Sequence, residues 1–104
     1  MANAKALKMH EADNVAVCTA DVAPGDAVTV IDPEKRTVEL ASLSAISFGN
    51  KIALADLAAG DEVVKYGETI GKATRSIARG ALVNHTNIAS QPRAYADEYL
   101  LRRP

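Results

Sequence analysis

The chain has 104 residues, room for one small domain that buries about two-thirds of the surface its unfolded form exposes. Its apolar fraction of 48% is dominated by small side chains, with 20 Ala against 23 Val, Ile and Leu, so the fold must rely on efficient backbone pairing or on a partner that covers part of its surface. Twelve basic against thirteen acidic residues lack the footprint of a nucleic-acid binder, and no apolar run reaches the roughly 20 residues of a membrane-spanning helix.

The N-terminal stretch through Asp13 lacks the apolar segment of a signal peptide, so a soluble, cytoplasmic protein is expected. Apolar residues then recur at a spacing of two in Val15-Ala16-Val17, Val28-Thr29-Val30 and Thr37-Val38-Glu39-Leu40, which predicts short strands. Cys18, the single cysteine, allows neither an internal disulfide nor a cysteine-built zinc site. It reads as a small core residue without a redox role. Asp32-Pro33-Glu34-Lys35 separates two β-branched runs and predicts a hairpin with a polar loop between Thr29 and Leu40.

A local pattern occurs at Val22 to Val28, Leu57 to Val63 and Ile77 to Val83: an apolar anchor, a glycine three residues on, and a valine three residues beyond it. A fixed glycine in that place predicts the same tight turn with positive φ each time. The unequal spacings, 35 and then 20 residues between anchors, argue against a solenoid and for one looping β domain. Lys65-Tyr66-Gly67 with Ile70-Gly71 predicts a strand, a turn that needs glycine, and a return strand. Pro92 to Arg103 reads as a C-terminal helix with Tyr95 and Tyr99 one turn apart, either capping its own domain or docking on another chain.

Several of these segments carry a family resemblance. Met9-His10 with Asp13-Asn14-Val15-Ala16-Val17 resembles the H-x-x-D-N-V-A-V opening of the small domain of altronate dehydratases. Gly49-Asn50-Lys51-Ile52-Ala53-Leu54, Asp56-Leu57 and Gly60 are similar to its G-H-K-x-A-L-x-D-I-x-x-G. Val63, Lys65-Tyr66-Gly67, Ile70-Gly71 and Ala73 follow V-x-K-Y-G-x-x-I-G-x-A. The resembled group is the altronate/galactarate dehydratases together with the sulfolactate sulfo-lyases. It implies a mostly β, SAF-like β-clip domain over residues 6–88 with short helical turns, and a C-terminal extension over 89–104 with a candidate helix.

The same resemblance implies elimination from a hydroxylated sugar acid, with a base removing the proton beside the carboxylate and a divalent metal, iron or manganese, assisting the leaving group. Two histidines do not supply a complete catalytic set. The reading is therefore a separate small subunit of a two-chain, altronate dehydratase-like lyase, holding no cofactor itself. A large catalytic subunit would bring the metal and the base. The small subunit of a sulfolactate sulfo-lyase, or a non-catalytic sugar-acid binding module, are the alternatives. Neither nucleic acid nor membrane is expected as a partner, and self-association stays open.

Candidate substrate-binding residues follow from the same comparison. Family members carry H-x-H-N where this chain has Asn84-His85-Thr86-Asn87. On an extended strand Asn84 and Thr86 then take the positions of the two histidines, and His85 faces the other way. Asn and Thr are poor ligands for iron or zinc, so no metal site is assigned, but Asn84, Thr86 and Asn87 suit a polyhydroxylated substrate. Lys51 and Lys65 suit a carboxylate. Tyr66, read as buried, needs a partner for its hydroxyl, and His10, which falls where the family has a histidine, reads as a hydrogen-bonded structural residue sooner than as a ligand or base.

Overall fold

The computed structural model describes residues 3–90. The described residues form nine strands: β1 (Asn3–Leu7), β2 (Val15–Cys18), β3 (Ala27–Ile31), β4 (Thr37–Ala41), β5 (Lys51–Ala53), β6 (Glu62–Lys65), β7 (Glu68–Ala73), β8 (Leu82–Val83) and β9 (Ile88–Ser90). Six of them make a sheet in the order β4-β3-β1-β2-β5-β8, and a second sheet runs β6-β7-β9. The protein is thus a mostly β domain. No helix occurs among the described residues; of the anticipated short helical turns, a single one is present, at Asn84 to Ile88, where the Asn84 carbonyl accepts an i+4 hydrogen bond. The candidate helix from Pro92 to Arg103 lies outside the described residues, among which no helix is long and apolar enough to cross a membrane.

The predicted β3–β4 hairpin is present, paired from Ala27↔Ala41 to Ile31↔Thr37. Its turn is closed by the Lys35 N–H donating to the Asp32 carbonyl at 2.9 Å, with Lys35 at φ 67°. The Asp32 carboxylate accepts from the N–H groups of Glu34 and Arg36 at 2.9 and 2.8 Å, and from the Arg36 Nε at 2.9 Å. Partial burial opposes its ionisation, but these donors and the guanidinium charge outweigh it and hold the carboxyl below its ordinary pKa.

The repeated turn is more pervasive than the three copies legible in the sequence, for a fourth lies at Ile46, Gly49 and Ile52. All four glycines, Gly25, Gly49, Gly60 and Gly80, have φ between 89° and 93°. In each, the residue after the glycine donates its N–H to the carbonyl of the residue after the anchor at 2.9–3.0 Å, which is a type II turn. The glycine supplies the positive φ that a β-carbon would resist.

Each copy also has a fixed beginning, a buried residue four positions before its anchor: Cys18, Ser42, Ala53 and Ala73. The copies therefore span 18–28, 42–52, 53–63 and 73–83. They dock in two reciprocal pairs. Val22 bridges Ile46, and Leu57 bridges Ile77. Gly25 N–H donates to the Ser42 carbonyl at 2.7 Å and Gly49 N–H to that of Cys18 at 2.8 Å. In the second pair Gly60 donates to Ala73 at 2.7 Å and Gly80 to Ala53 at 2.9 Å. Carboxylates reinforce both pairs, with Asp21 accepting the Phe48 N–H and Asp56 the Arg79 N–H, each at 2.8 Å.

Every pair of copies encloses its own core. Cys18, Val22, Val28, Ile46 and Ile52 pack with Ala4, Ala6, Ala16, Val30 and Leu40. Ala53, Leu57, Val63, Ala73, Ile77 and Val83 pack with Val15. The closing aliphatics Val28, Ile52, Val63 and Val83 expose nothing to solvent, and burial of such side chains is the main source of stability in a chain short of aromatics.

Burial in the first of these cores pushes the Cys18 thiol from 9.0 up to about 11. Between those values the unfolded chain releases the proton and the folded chain keeps it, so stability falls as pH rises through that window. We expect a loss of about 2 kcal/mol from this group, read as the part of the decline in urea midpoint between pH 9 and 11 that Cys18→Ala lacks.

Candidate functional site

The loop from His10 to Asn14 and the β6–β7 hairpin build one junction. Lys65-Tyr66-Gly67-Glu68 is a two-residue hairpin turn with positive φ at both centres, 57° at Tyr66 and 74° at Gly67, the geometry that suits the right-handed twist of the flanking strands. A tyrosine resists that conformation, and Asp13 holds it there. Its buried carboxylate accepts the Tyr66 N–H at 3.0 Å and the Gly67 N–H at 2.8 Å. His10 accepts the Ala12 N–H on Nδ1 at 3.0 Å and lays its ring where a Gly67 β-carbon would come within 3.1 Å. Asn14 stitches β2 to β6, its Oδ1 accepting the Val64 N–H at 2.8 Å and its Nδ2 donating to the Glu62 carbonyl at 2.9 Å.

His10, Lys65 and Tyr66 are therefore brought together, and the paired H-x-x-D-N and K-Y-G segments depend on each other for shape. Tyr66 departs from expectation: it is 59% exposed, because the left-handed turn turns its ring to solvent. The Lys65 Nζ sits 5.5 Å from the ring centroid, within cation–π range. Asp13 and Asn14 were visible only as motif letters. Their signal was an acid and an amide side by side just before a strand, the types that bind backbone N–H groups locally.

Lys51 is not part of that junction but lies within electrostatic reach of Lys65, half-buried on β5 between Val17 of β2 and Val83 of β8. Burial first, and the nearby Lys65 charge second, lower its pKa. The ion pairs found among the described residues all gather on Arg36, with Glu11, Asp32 and Glu34, so no carboxylate there neutralises Lys51. Replacing a half-buried, uncompensated ammonium by an apolar chain of similar length removes a cost. We expect Lys51→Met to raise stability by roughly 0.5–1 kcal/mol at pH 7, measured by thermal and urea unfolding.

The segment Asn84 to Asn87 follows β8, so it begins beside the residue that pairs with Lys51. It is a turn and not the extended strand inferred from alternation, since the N–H groups of Asn87 and Ile88 both donate to the Asn84 carbonyl at 3.1 Å. The strand-face argument for Asn84, His85 and Thr86 therefore does not hold. Asn84 Oδ1 accepts the N–H and hydroxyl of Thr86 at 2.9 and 2.6 Å. Asn87, buried, accepts the Asn84 N–H at 2.9 Å and donates to the Leu82 carbonyl at 2.7 Å. His85 is exposed. These engaged amides do not fit a metal, and among the described residues no three His, Cys, Asp or Glu side chains converge on one.

The junction between Asp13 and the K-Y-G turn, and the four glycine turns, give a physical account of the H-x-x-D-N, K-Y-G and spaced-glycine patterns read in the sequence. The altronate/galactarate dehydratase SAF domain family matches residues 4–91. Altronate dehydratase of Escherichia coli (strain K12) is 43% identical over 81 residues, 78% of this chain and 15% of that protein. Galactarate dehydratase (L-threo-forming) of the same organism is 33% identical over 79% of this chain and 14% of its own length. The (2R)-sulfolactate sulfo-lyase subunit alpha of Chromohalobacter salexigens is 33% identical over 80% of this chain and 92% of the subunit. The chain thus spans about a seventh of the dehydratases it matches but nearly all of the sulfo-lyase subunit, and it belongs to the altronate/galactarate dehydratase SAF domain family.

Proposed function

We propose that this domain is the small component of a two-chain lyase that dehydrates a hydroxylated sugar acid, altronate dehydratase-like, and forms one wall of the substrate cleft. In such a dehydration the C–H bond beside the carboxylate loses its proton to a base, the neighbouring C–O bond breaks, water leaves, and the enol becomes a 2-keto acid. The base and a divalent iron or manganese ion are assigned to the large chain. This chain contributes Lys51 as the charge that attracts the carboxylate, with the exposed His85 and Thr86 beside it for hydroxyl groups; Lys65 and Tyr66 with His10 form a second polar edge.

The observation that supports this reading is Lys51 itself, a half-buried cation without a carboxylate partner among the described residues, at the end of β5 that adjoins the Asn84 turn. A charge that costs stability is retained where a ligand compensates it. In the test, the purified chain is assayed with altronate alone and after reconstitution with its large chain. Turnover only in the complex, reduced by Lys51→Met through a raised KM, is the expected result. Full turnover by the isolated chain would overturn the division of labour, and specific calorimetric binding of altronate without any catalytic partner would favour a stand-alone binding module.

The 92% coverage of a sulfo-lyase alpha subunit favours a second reading, in which a C–S bond breaks and bisulfite leaves in place of water. Parallel assays of the complex with altronate and with sulfolactate separate the two.

A further inference from the structure

Backbone pairing leaves β4 as an open edge of the larger sheet. The Lys8 N–H donates to the Ile31 carbonyl and the Asp32 N–H to that of Arg36, each at 2.9 Å, so the odd residues of β3 bond β1 and the even ones bond β4. The register Val30↔Val38 and Val28↔Leu40 then turns the N–H and carbonyl groups of Thr37, Glu39 and Ala41 away from β3. Among the described residues nothing pairs with them, although at the next odd position the Leu43 N–H is taken by the Gly80 carbonyl at 2.9 Å. Other edges are covered: Asn14 binds the backbone of β6 at Val64 and Glu62, and the Ser44 hydroxyl accepts the Leu82 N–H of β8 at 3.1 Å. Val38 is 57% exposed, beside a cleft of about 200 Å³ that it lines with Val30, Leu40 and Leu54. With Glu39 as its single charge, β4 lacks the devices that usually blunt an edge strand.

We propose that this edge pairs with the same edge of a second copy of the chain, antiparallel, about a two-fold axis at Val38. In that register Thr37 of each copy faces Glu39 of the other and exchanges both backbone bonds with it, which satisfies every outward N–H and carbonyl of the two residues. Val38 meets its counterpart on the axis as the close, non-bonded pair, with Cα atoms about 4.5 Å apart, so two exposed apolar side chains cover each other between the two clefts. The Thr37 hydroxyl, which has no partner among the described residues, comes to lie opposite the Glu39 carboxylate. Centring the axis on Glu39 instead would oppose two like charges directly and would need Ala41, whose carbonyl lies close against Gly80. The contact is self-complementary and uses up both edges, so it closes at two copies. It supplies the outside cover that a chain with 20 Ala and one Phe calls for. This reading does not depend on the lyase assignment.

Sedimentation equilibrium and amide hydrogen exchange on the full chain test this together. A dimer should form as concentration rises, and with it protection of the Thr37 and Glu39 amides, while Val38 and Leu40, bonded to β3, stay protected at every concentration. Val38→Lys sets two ammoniums on the axis, and Glu39→Pro removes an N–H that faces the open side and not β3. Each should raise the dissociation constant at least about tenfold, with Leu40 still protected as the sign that the hairpin is intact. A chain that stays monomeric at millimolar concentration, or a dimer in which Thr37 and Glu39 exchange freely, overturns the proposal. Protection of those two amides at every concentration, or only once a large catalytic chain is added, also overturns it and gives the edge to another part of this chain or to that partner.

Discussion

Gly80→Ala is expected to destabilise the domain by about 3–4 kcal/mol, against about 1–2 kcal/mol for Gly25→Ala or Gly60→Ala. The three glycines share a φ of 89–93°, so the backbone cost of a β-carbon is common to all. Their surroundings differ. A β-carbon at Gly25 or Gly60 meets nothing within 4 Å, whereas at Gly80 it would come within 2.5 Å of the Ala41 carbonyl oxygen and press on Leu43. Gly80 also accepts the Leu43 N–H at 2.9 Å, so the turn cannot retreat without losing that bond. Urea midpoints at constant m-value give the comparison. Equal losses at all three positions would show that φ alone governs and that the contact with β4 is soft.

Asp13→Ala should cost about 3 kcal/mol, since hydrogen bonds to a charged acceptor contribute about 1.5–3 kcal/mol and two N–H groups lose theirs together. The loss falls on the one turn that forces a tyrosine to positive φ. Asp13→Asn preserves the volume but offers one acceptor oxygen and turns an amide donor toward the second N–H, so it should recover only a minor part. Hydrogen exchange at Tyr66 and Gly67 reports the turn directly, alongside denaturation. If those amides stay protected in Asp13→Ala, the hairpin stands on its own strands and Asp13 is dispensable to it.

Much of the fold was legible because its signals are local. Alternating valines marked β2, β3 and β4, Asp32-Pro33 marked the hairpin, and spaced glycines marked three of the four turns. The fourth escaped because its strand closes on Ile52 rather than on valine and because Gly49-Asn50-Lys51 reads equally well as part of another motif. β1 escaped for a different reason. Ala4 and Ala6 alternate with Asn3, Lys5 and Leu7 and give little contrast in hydropathy, yet the strand lies between β2 and β3, parallel to β3. Only the non-local pairing makes two alanines core residues.

The candidate site was legible in composition and not in conformation. Lys51, Lys65 and His10 could be singled out, but the extended geometry assumed for Asn84 to Asn87 gave way to side chains that bind their own backbone, a competition open to Asn and Thr wherever a strand ends. Tyr66 was taken as buried because tyrosines usually are in large part. The positive φ that exposes it is set by Asp13, more than 50 residues away in sequence.

Ile52 and Ala53 are consecutive in β5, yet the first belongs to one core and the second to the other. The strand is a party wall. A local fluctuation that frees β5 from either side uncovers both interiors at once, so the two halves, each closed by its own exchanged turns, are bound into a single cooperative unit through β5 and the neighbouring Val15 and Ala16 of β2, which divide between the cores in the same way. Opening confined to the outer hairpins is therefore the cheap excursion of this protein, and whatever docks on or moves with it must work through those rims while the wall stays shut.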